Sequence, residues 1–226
     1  MRAGVSRTRG RRGEDAFVLL DFDGTIASED IGNAILERFA DPAWRVSEAR
    51  WLAGEISTRE NLEYQWSLVK GERKAIIEFA SAATLRAGFK GFLARAREAG
   101  SELLIASDGI EFYVRAFLRA HGIAKIPVRT NRMTWGPPRR FTFPYASVRC
   151  SRHGTCKCAL MEDARKRGLR PVVVGDGYSD LCAARRADRI FARGFLAEKC
   201  AQEGLAYAAF EDFGEVADAL FGKGEL

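Results

Sequence analysis

The chain has 226 residues, a formal net charge of +6 and 47% hydrophobic residues. This composition is typical of a globular protein and excludes a wholly disordered chain, and no apolar run is long enough to span a bilayer. The length corresponds to one domain with an elaboration or to two small domains. The positive charge indicates an anionic partner, and nucleic acid is one candidate.

The first 13 residues carry most of the excess positive charge. Five arginines and no acid lie there, and the rest of the chain has 31 basic and 30 acidic residues. The segment is rich in Arg, Gly and Ser and lacks apolar periodicity, so we expect a disordered basic tail over residues 1–13. A solvated arm is the simplest interpretation. A nucleic-acid or membrane-surface arm and a short transit peptide are alternatives.

Short apolar segments alternate with helical patterns along most of the chain. Strands are predicted at 16–22, 102–106, 171–174 and 189–192, and helices at 88–99, 111–121, 155–167 and 179–187. Such alternation predicts an α/β fold with a three-layer, Rossmann-like core, in which helices cover both faces of a parallel sheet.

Two segments interrupt this alternation. Residues 29–84 contain helix-start signals at 41–42 and 57–60 but no convincing strand, so we predict a helical cap subdomain inserted after the first strand. Alternating segments within 131–147 flank Gly136-Pro137-Pro138, which predicts a β-hairpin after the third strand. The predicted organisation is a tail at 1–13, a core at 14–28 and 85–226, and a cap at 29–84.

Two acidic groups follow predicted strands. Asp21 and Asp23 lie in the motif Asp-Phe-Asp-Gly-Thr (21–25), and Asp176 and Asp180 follow a later strand. The carboxyl ends of parallel strands meet at one edge of a sheet, where ligands bind. Because acids buried near one another need a cation, and because oxygen-only ligands suit Mg²⁺, the pattern predicts a magnesium site.

Further features indicate an anion at the same edge. Gly24 lets a phosphate approach the backbone, Ser107 ends the strand at 102–106, and Lys157 begins a helix whose dipole also favours an anion. A single motif of this kind is more often a turn than a site. Three motifs at strand ends and one at a helix start, in this order, indicate a phosphate-binding site.

These motifs resemble the haloacid dehalogenase superfamily of phosphohydrolases, and the helical insertion resembles the cap of its phosphoserine-phosphatase-like branch. The resemblance covers the chain from about residue 16. It implies a Mg²⁺-dependent phosphomonoester hydrolase acting on a small phosphorylated metabolite. Phosphoserine phosphatase, or a phosphotransferase or mutase of the superfamily, is the enzyme alternative. A nucleic-acid-binding protein using the arginine-rich tail is disfavoured, because no nucleic-acid-binding module is recognisable.

The resemblance also implies a role for each motif residue. Asp21 would be the nucleophile that forms an aspartyl-phosphate, and Asp23 the general acid and base. Asp21, the Asp23 carbonyl and Asp176 would hold Mg²⁺, with Asp180 orienting these ligands. The residues expected to bind the phosphoryl group are Ser107, Lys157, Gly24, Thr25, Asp108 and Gly109. Asp108 stands where many relatives have Gly, so its side chain must point away or meet a cation.

The five cysteines indicate reduced thiols and a cytoplasmic protein, since their number is odd and no secretory signal is recognisable. Cys150, His153, Cys156 and Cys158 cluster around the lysine. We expect them to pack there, with a structural zinc site or a redox pair as alternatives. The Gly-Thr-Cys before the lysine and the segment 56–60 are similar to methionine-salvage 2-hydroxy-3-keto-5-methylthiopentenyl-1-phosphate phosphatases.

Substrate choice is expected of the predicted cap, which would close over the strand ends. The candidates are Glu29 at the cap entrance, Arg59 for a substrate anion or carbonyl, and Trp66 on the same helix face as Arg59. A surface position for Arg59 and core packing for Trp66 are the alternatives. Both a monomer and a homodimer are compatible with the sequence.

Overall fold

The computed structural model describes residues 13, 15–148, 150 and 153–222, so the predicted tail lies outside the described residues except for Gly13. Seven strands form one sheet in the order β4-β3-β2-β1-β5-β6-β7 within this part of the chain. The strands are β1 (Ala16–Leu20), β2 (Glu102–Ile110), β3 (Val128–Thr134), β4 (Arg140–Thr142), β5 (Arg170–Gly175), β6 (Arg189–Ala192) and β7 (Ala208–Ala209). All neighbouring pairs are parallel except β3 with β4, which confirms the predicted α/β class.

Helices cover both faces of the sheet. They are α1 (Ile31–Phe39), α2 (Trp44–Leu52), α3 (Thr58–Ser67), α4 (Arg73–Ser81), α5 (Phe89–Glu98), α6 (Glu111–Ala120), α7 (Lys157–Lys166), α8 (Leu181–Ala184), α9 (Gly194–Gln202) and α10 (Phe213–Phe221). Our sequence analysis did not predict α9, α10 or β7. No helix in the described ranges has both the length and the apolar character needed to cross a membrane.

The central strand β1 shows why the layers form. Its five residues are all buried, because successive side chains enter different cores on the two faces. Ala16, Val18 and Leu20 join the core beneath α5, α6 and α10. Phe17 and Leu19 join the core beneath α7, α8 and α9. A strand buried on both faces reads as a continuous apolar run, which is the pattern that predicted it.

Four helices, α1 to α4, form an insertion between β1 and α5. The two ends of this insertion lie side by side, since Ala27 and Leu85 form an antiparallel bridge and the Ser28 N–H donates to the Thr84 carbonyl at 2.9 Å. The predicted capping box is confirmed at Ser57, where α3 begins. The helix start predicted at Asp41 lies before the observed one. The Asp41 side chain accepts a hydrogen bond from the Ala43 N–H, and α2 begins at Trp44.

The predicted hairpin around Gly136-Pro137-Pro138 is confirmed, with Met133 of β3 opposite Phe141 of β4. Its first arm is β3 itself, which also pairs in parallel with β2. This second pairing was not predicted, because 128–134 contains only two apolar residues, Val128 and Met133, and so lacks the apolar run typical of a strand in a parallel sheet.

Candidate active site

The candidate site lies where β1 and β5 end, at the point from which the sheet extends in opposite directions. Asp21 follows β1, and its N–H donates to the Val174 carbonyl at 2.9 Å, which extends the strand pairing to the carboxylate itself. A tight turn, Phe22–Ile26, comes next. Gly24 in this turn has φ +72°, and a Cβ there would lie 2.2 Å from Oδ2 of Asp176. Only glycine tolerates both conditions.

Three carboxylates converge beside this turn. One oxygen each of Asp21, Asp176 and Asp180 lies within 4.8 Å of the others, and among the residues that the structure describes this is the one such group of acids, cysteines or histidines. Thr25 donates its hydroxyl to Asp176 at 2.5 Å. Burial and then the Asp180 charge raise the pKa of Asp176 to about 7. Oxygen-only donors of this kind fit a divalent cation such as Mg²⁺, whose charge would offset their repulsion.

Lys157, the first residue of α7, faces these carboxylates. Its Nζ lies 2.7 Å from Asp21 Oδ1 and 2.6 Å from Asp180 Oδ1, and it donates to the Ser179 hydroxyl at 3.0 Å. The side chain is 1% exposed. Burial by itself lowers the pKa of the ammonium group, but Asp180 and Asp21 outweigh that effect and the pKa is raised. Lys157 is therefore a fixed positive charge next to Asp21.

Both carboxylate oxygens of Asp180 accept hydrogen bonds from the protein. Its Oδ1 accepts from Lys157, and its Oδ2 accepts from the backbone N–H groups of Asp176 and Gly177 at 3.2 and 3.1 Å. Asp180 therefore fixes the lysine and the turn after β5. This leaves Asp21 and Asp176 as the carboxylates best able to hold a cation.

Asp23 is held from two sides. Its Oδ1 accepts from the first two backbone N–H groups of α1, at 3.0 and 3.3 Å. Its Oδ2 accepts from the Tyr113 hydroxyl at 3.1 Å and from the Ser107 hydroxyl at 3.4 Å. Burial and then the charge of Asp30 raise the pKa of Asp23 to about 8. A raised pKa favours the protonated form of the Asp23 carboxyl group, which is the form that can give up a proton.

Ser107 and Gly109 lie in β2 beyond the predicted end of that strand, where the β2–β3 register is irregular. The Gly109 N–H donates to the Ser107 hydroxyl at 2.8 Å. The Asp108 carboxylate accepts from the Thr155 N–H at 2.7 Å, and its other oxygen lies 3.3 Å from Nδ1 of His153. The Asp108 carboxylate therefore contacts the segment that precedes Lys157.

Arg86 supports the site, and the sequence analysis missed it. The side chain is buried, and its guanidinium donates to the carbonyls of Gly24 and Thr25 at 2.6 Å each. It also donates to the carbonyls of Ser28 and Glu211 at 3.3 Å. All these acceptors are backbone carbonyls, so no motif in the sequence marks Arg86. It fixes the turn that carries Asp23.

A cavity of about 350 Å³ extends from the carboxylates to the insertion. The residues that give it an apolar wall are Leu36, Trp51, Leu52, Leu62, Trp66 and Phe195. Asp21, Asp23, Asp176 and Ser107 line its other end. No lysine or arginine is among its lining residues in the described part of the chain. Its described lining residues therefore offer apolar contact and hydrogen bonding beyond the site, and they include no cationic side chain.

A polar cluster made of Ser47, Glu48, Asn61 and Gln65 belongs to the wall formed by the insertion. Oε2 of Glu48 accepts from the Asn61 and Gln65 side-chain amides at 2.9 and 2.8 Å, and Ser47 donates to Asn61 at 2.6 Å. Oε1 of Glu48 accepts no hydrogen bond from the residues described. This cluster, called the Glu48 cluster below, thus presents a fixed acceptor to the cavity, where Glu48 is a lining residue.

The three substrate-contact candidates of the sequence analysis have different outcomes. Trp66 lines the cavity and stacks on Tyr113 at a centroid distance of 6.3 Å. Arg59 is exposed, does not line the cavity, and places its guanidinium 4.4 Å from the Phe143 ring. Glu29 is also exposed and outside the cavity lining. Trp66 thus lines the cavity and is also packed in the core, as its alternative predicted, whereas the roles of Arg59 and Glu29 in substrate choice stay predictions.

The cysteines differ from expectation in one respect. Cys158 and Cys182 form a disulfide with Cα atoms 5.7 Å apart, so the prediction of uniformly reduced thiols is wrong for this pair. Cys156 is a buried free thiol and Cys150 a partly buried one. The four predicted cluster residues do not form a metal-binding group in the structure.

Three clustered carboxyl groups, a fourth one nearby with a raised pKa, and a buried lysine at strand ends are suited to hydrolysis of phosphate esters. The chain belongs to the haloacid dehalogenase-like hydrolase family, which matches residues 18–185. Consistent with this family and the relatives described next, it is a phosphatase of small phosphorylated compounds.

The chain is similar to two curated 2-hydroxy-3-keto-5-methylthiopentenyl-1-phosphate phosphatases. The protein from Geobacillus kaustophilus is 38% identical over 88% of this chain and 93% of its own length. The protein from Brevibacillus brevis is 35% identical over 87% and 90%. A phosphoserine phosphatase solved with a phospho-aspartyl intermediate analogue superposes with a TM-score of 0.67 at 16% identity, covering 92% of this chain and 99% of that one. This last likeness concerns the fold.

Proposed function

We propose that this chain is a Mg²⁺-dependent phosphatase that hydrolyses 2-hydroxy-3-keto-5-methylthiopentenyl 1-phosphate through an aspartyl-phosphate on Asp21. The observation that carries the proposal is the pairing of Asp21 with Lys157 at 2.7 Å, at the end of a cavity whose described lining residues include no lysine or arginine. The named substrate of the similar relatives supports the choice of phosphate ester.

In the first step, Asp21 attacks phosphorus while the bond from phosphorus to the leaving oxygen breaks. Asp23 gives its proton to that oxygen, consistent with its pKa of about 8. Lys157 and Ser107 are placed to hold the phosphoryl oxygens. When bound by Asp21, Asp176 and the Asp23 carbonyl, Mg²⁺ supplies the charge that lets a carboxylate approach a dianionic ester.

In the second step, Asp23 is a carboxylate and takes a proton from the attacking water. The water oxygen bonds to phosphorus, the acyl-phosphate bond breaks, and Asp21 and inorganic phosphate are released. Asp23 thereby regains its proton and the cycle closes. Asp23 can serve both steps because it gives up a proton in the first step and takes one in the second.

The wall of the cavity favours this substrate over phosphoserine. The carboxylate of phosphoserine would find no lysine or arginine among the lining residues that the structure describes, and a buried unpaired charge is strongly unfavourable. A methylthio tail instead suits the apolar wall, and a substrate hydroxyl can donate to Glu48.

We also propose that residues 29–84 act as a cap over a core at 14–28 and 85–226, with the paired segments at Ala27 and Leu85 as its base.

The Asp21→Asn variant tests this proposal. It is expected to lose phosphate release from both the enol phosphate and an aryl phosphate by at least about 10⁴-fold, because an amide is a poor nucleophile. The control is Asp163→Asn on the exposed side of α7. Thermal unfolding supplies a second readout, since Mg²⁺ should raise the melting temperature of the wild type and raise it less in Asp21→Asn. Substantial turnover by Asp21→Asn would contradict the proposal.

A further inference from the structure

We infer that Tyr113 is a positioning residue for the general acid: its hydroxyl holds Asp23 so that the proton leaves from Oδ2 towards the substrate's leaving oxygen. This inference rests on the proposed role of Asp23. Our sequence analysis gave Tyr113 no function.

The hydrogen bonds of Asp23 define an orientation. The Tyr113 hydroxyl donates to Oδ2 at 3.1 Å, and two N–H groups of α1 donate to Oδ1 from the other side. A carboxyl group otherwise rotates broadly about its last side-chain bond. Donors on both oxygens restrict that rotation. Without the Tyr113 hydroxyl, Oδ2 would keep, among donors in the described residues, only the longer bond from Ser107 at 3.4 Å.

The Tyr113 ring is itself fixed. The residue is 2% exposed, its ring stacks on Trp66 with an angle of 12° between the planes, and it contacts the rings of Phe22 and Phe112. Space for the hydroxyl depends on Gly109, where a Cβ would lie 2.2 Å from the Tyr113 oxygen. Since several elements close around this hydroxyl, its position is determined by packing and not by the hydrogen bond alone.

The hydroxyl remains a donor during the reaction. A phenol hydroxyl keeps its proton at neutral pH, so Tyr113 does not give up its own proton. The proton that reaches the leaving oxygen comes from Asp23, and the Tyr113 hydroxyl is unchanged at the end of the step. Tyr113, Asp23 and Ser107 all line the cavity, so the transfer takes place where the substrate lies.

The test is Tyr113→Phe, which removes one oxygen and keeps the ring. Single-turnover release of the leaving group is measured with Mg²⁺ for the enol phosphate, an alkyl phosphate and aryl phosphates of decreasing leaving-group pKa. Poor leaving groups need the proton and good ones do not. The variant should therefore be slowed about 30-fold on the alkyl phosphate and less than about 3-fold on p-nitrophenyl phosphate, within the usual range of general-acid effects.

Two controls separate positioning from damage to the fold. Tyr64→Phe, an exposed tyrosine on α3, should match the wild type on every substrate. The inhibition constant of inorganic phosphate, whose binding needs no proton transfer, should be unchanged in Tyr113→Phe.

The outcomes also separate this inference from the proposed function. If Tyr113→Phe slows all substrates equally, or slows none, the inference is overturned. The proposed role of Asp23 still stands in that case if the rate of Asp23→Asn depends steeply on the pKa of the leaving group. A flat dependence in Asp23→Asn overturns both.

Discussion

The strand ends and the insertion, which form the two sides of the cavity, differ in how their polar groups are paired. At the strand ends, Asp180 and Lys157 are 0% and 1% exposed, and both charges are consumed by protein partners. On the insertion, the Glu48 cluster ends in an oxygen that accepts nothing from the described residues, beside an apolar wall. The groups at the strand ends are therefore held in place before a substrate binds, whereas the Glu48 oxygen can still gain a partner from one. We therefore propose that the strand ends carry out the chemistry and that the insertion selects the substrate.

The comparison leads to a simple expectation. Substitutions at the strand ends should lower turnover of every phosphate ester, because they disturb groups common to all substrates. Substitutions on the insertion should change the ranking of substrates and leave the simplest aryl phosphates unaffected.

The largest effect is expected for Lys157→Met. The substitution leaves Asp21 and Asp180 buried without their shared cation, which should lower the free energy of unfolding by about 3–5 kcal/mol and abolish turnover. Denaturant unfolding measures the first and phosphate release the second. Lys166→Met, on the exposed side of the same helix, is the control. A Lys157→Met protein as stable and active as the control would show that the buried pairs do not matter.

Gly24→Ala should produce the next largest effect. Its Cβ would meet Asp176 Oδ2 at 2.2 Å and push that carboxylate out of place, so turnover should fall at least about 100-fold. Gly168 is a matched control, with φ +80° and no atom within 4 Å of an added Cβ. Gly168→Ala should lose about 1 kcal/mol of stability from backbone strain and keep its turnover. Equal turnover in the two variants would refute a special role for the contact with Asp176.

Glu48→Gln tests the opposite wall. Removing the charged acceptor should raise KM for the enol phosphate about 10-fold, the usual effect of losing one hydrogen bond to a charged group, with aryl phosphate turnover within about 2-fold of wild type. Glu63→Gln, exposed on α3, is the control. If both substrates are affected equally, the Glu48 cluster acts on the fold and not on substrate choice.

The smallest effect is expected for Arg59→Ala. The guanidinium lies over Phe143 at the surface, and exposed cation–π contacts contribute about 0.5–1 kcal/mol. Stability should fall by no more than that, and kcat/KM for the enol phosphate should stay within about 2-fold of wild type. A large rise in KM would restore Arg59 as a substrate contact, as the sequence first indicated.

Part of the fold and of the candidate site could be predicted from the sequence alone. Asp21, Asp23, Lys157 and Asp176 were identifiable because each lies at the end of an element whose type is encoded locally. The position of the two acidic groups then followed from the geometry of parallel sheets. The α/β class was predictable for the same reason, from apolar runs alternating with helical periods.

Tyr113, Arg86 and Glu48 were not predictable, because their roles depend on contacts between distant parts of the chain. Tyr113 lies 90 residues from the carboxylate it holds, and Arg86 lies 61 residues from the carbonyl of Thr25. Arg59 shows the reverse limit: a capping box placed it in the first turn of α3, but local structure does not say which face of a helix meets the cavity, so both a substrate contact and a surface position stayed open.

The most direct test of the account is the ratio of kcat/KM for the enol phosphate to that for phosphoserine, measured on the wild-type protein with Mg²⁺. We predict a ratio of at least about 100, since phosphoserine would bury a carboxylate without a cation among the cavity residues described. A ratio near one, or a preference for phosphoserine, would contradict the assignment of the substrate to this cavity.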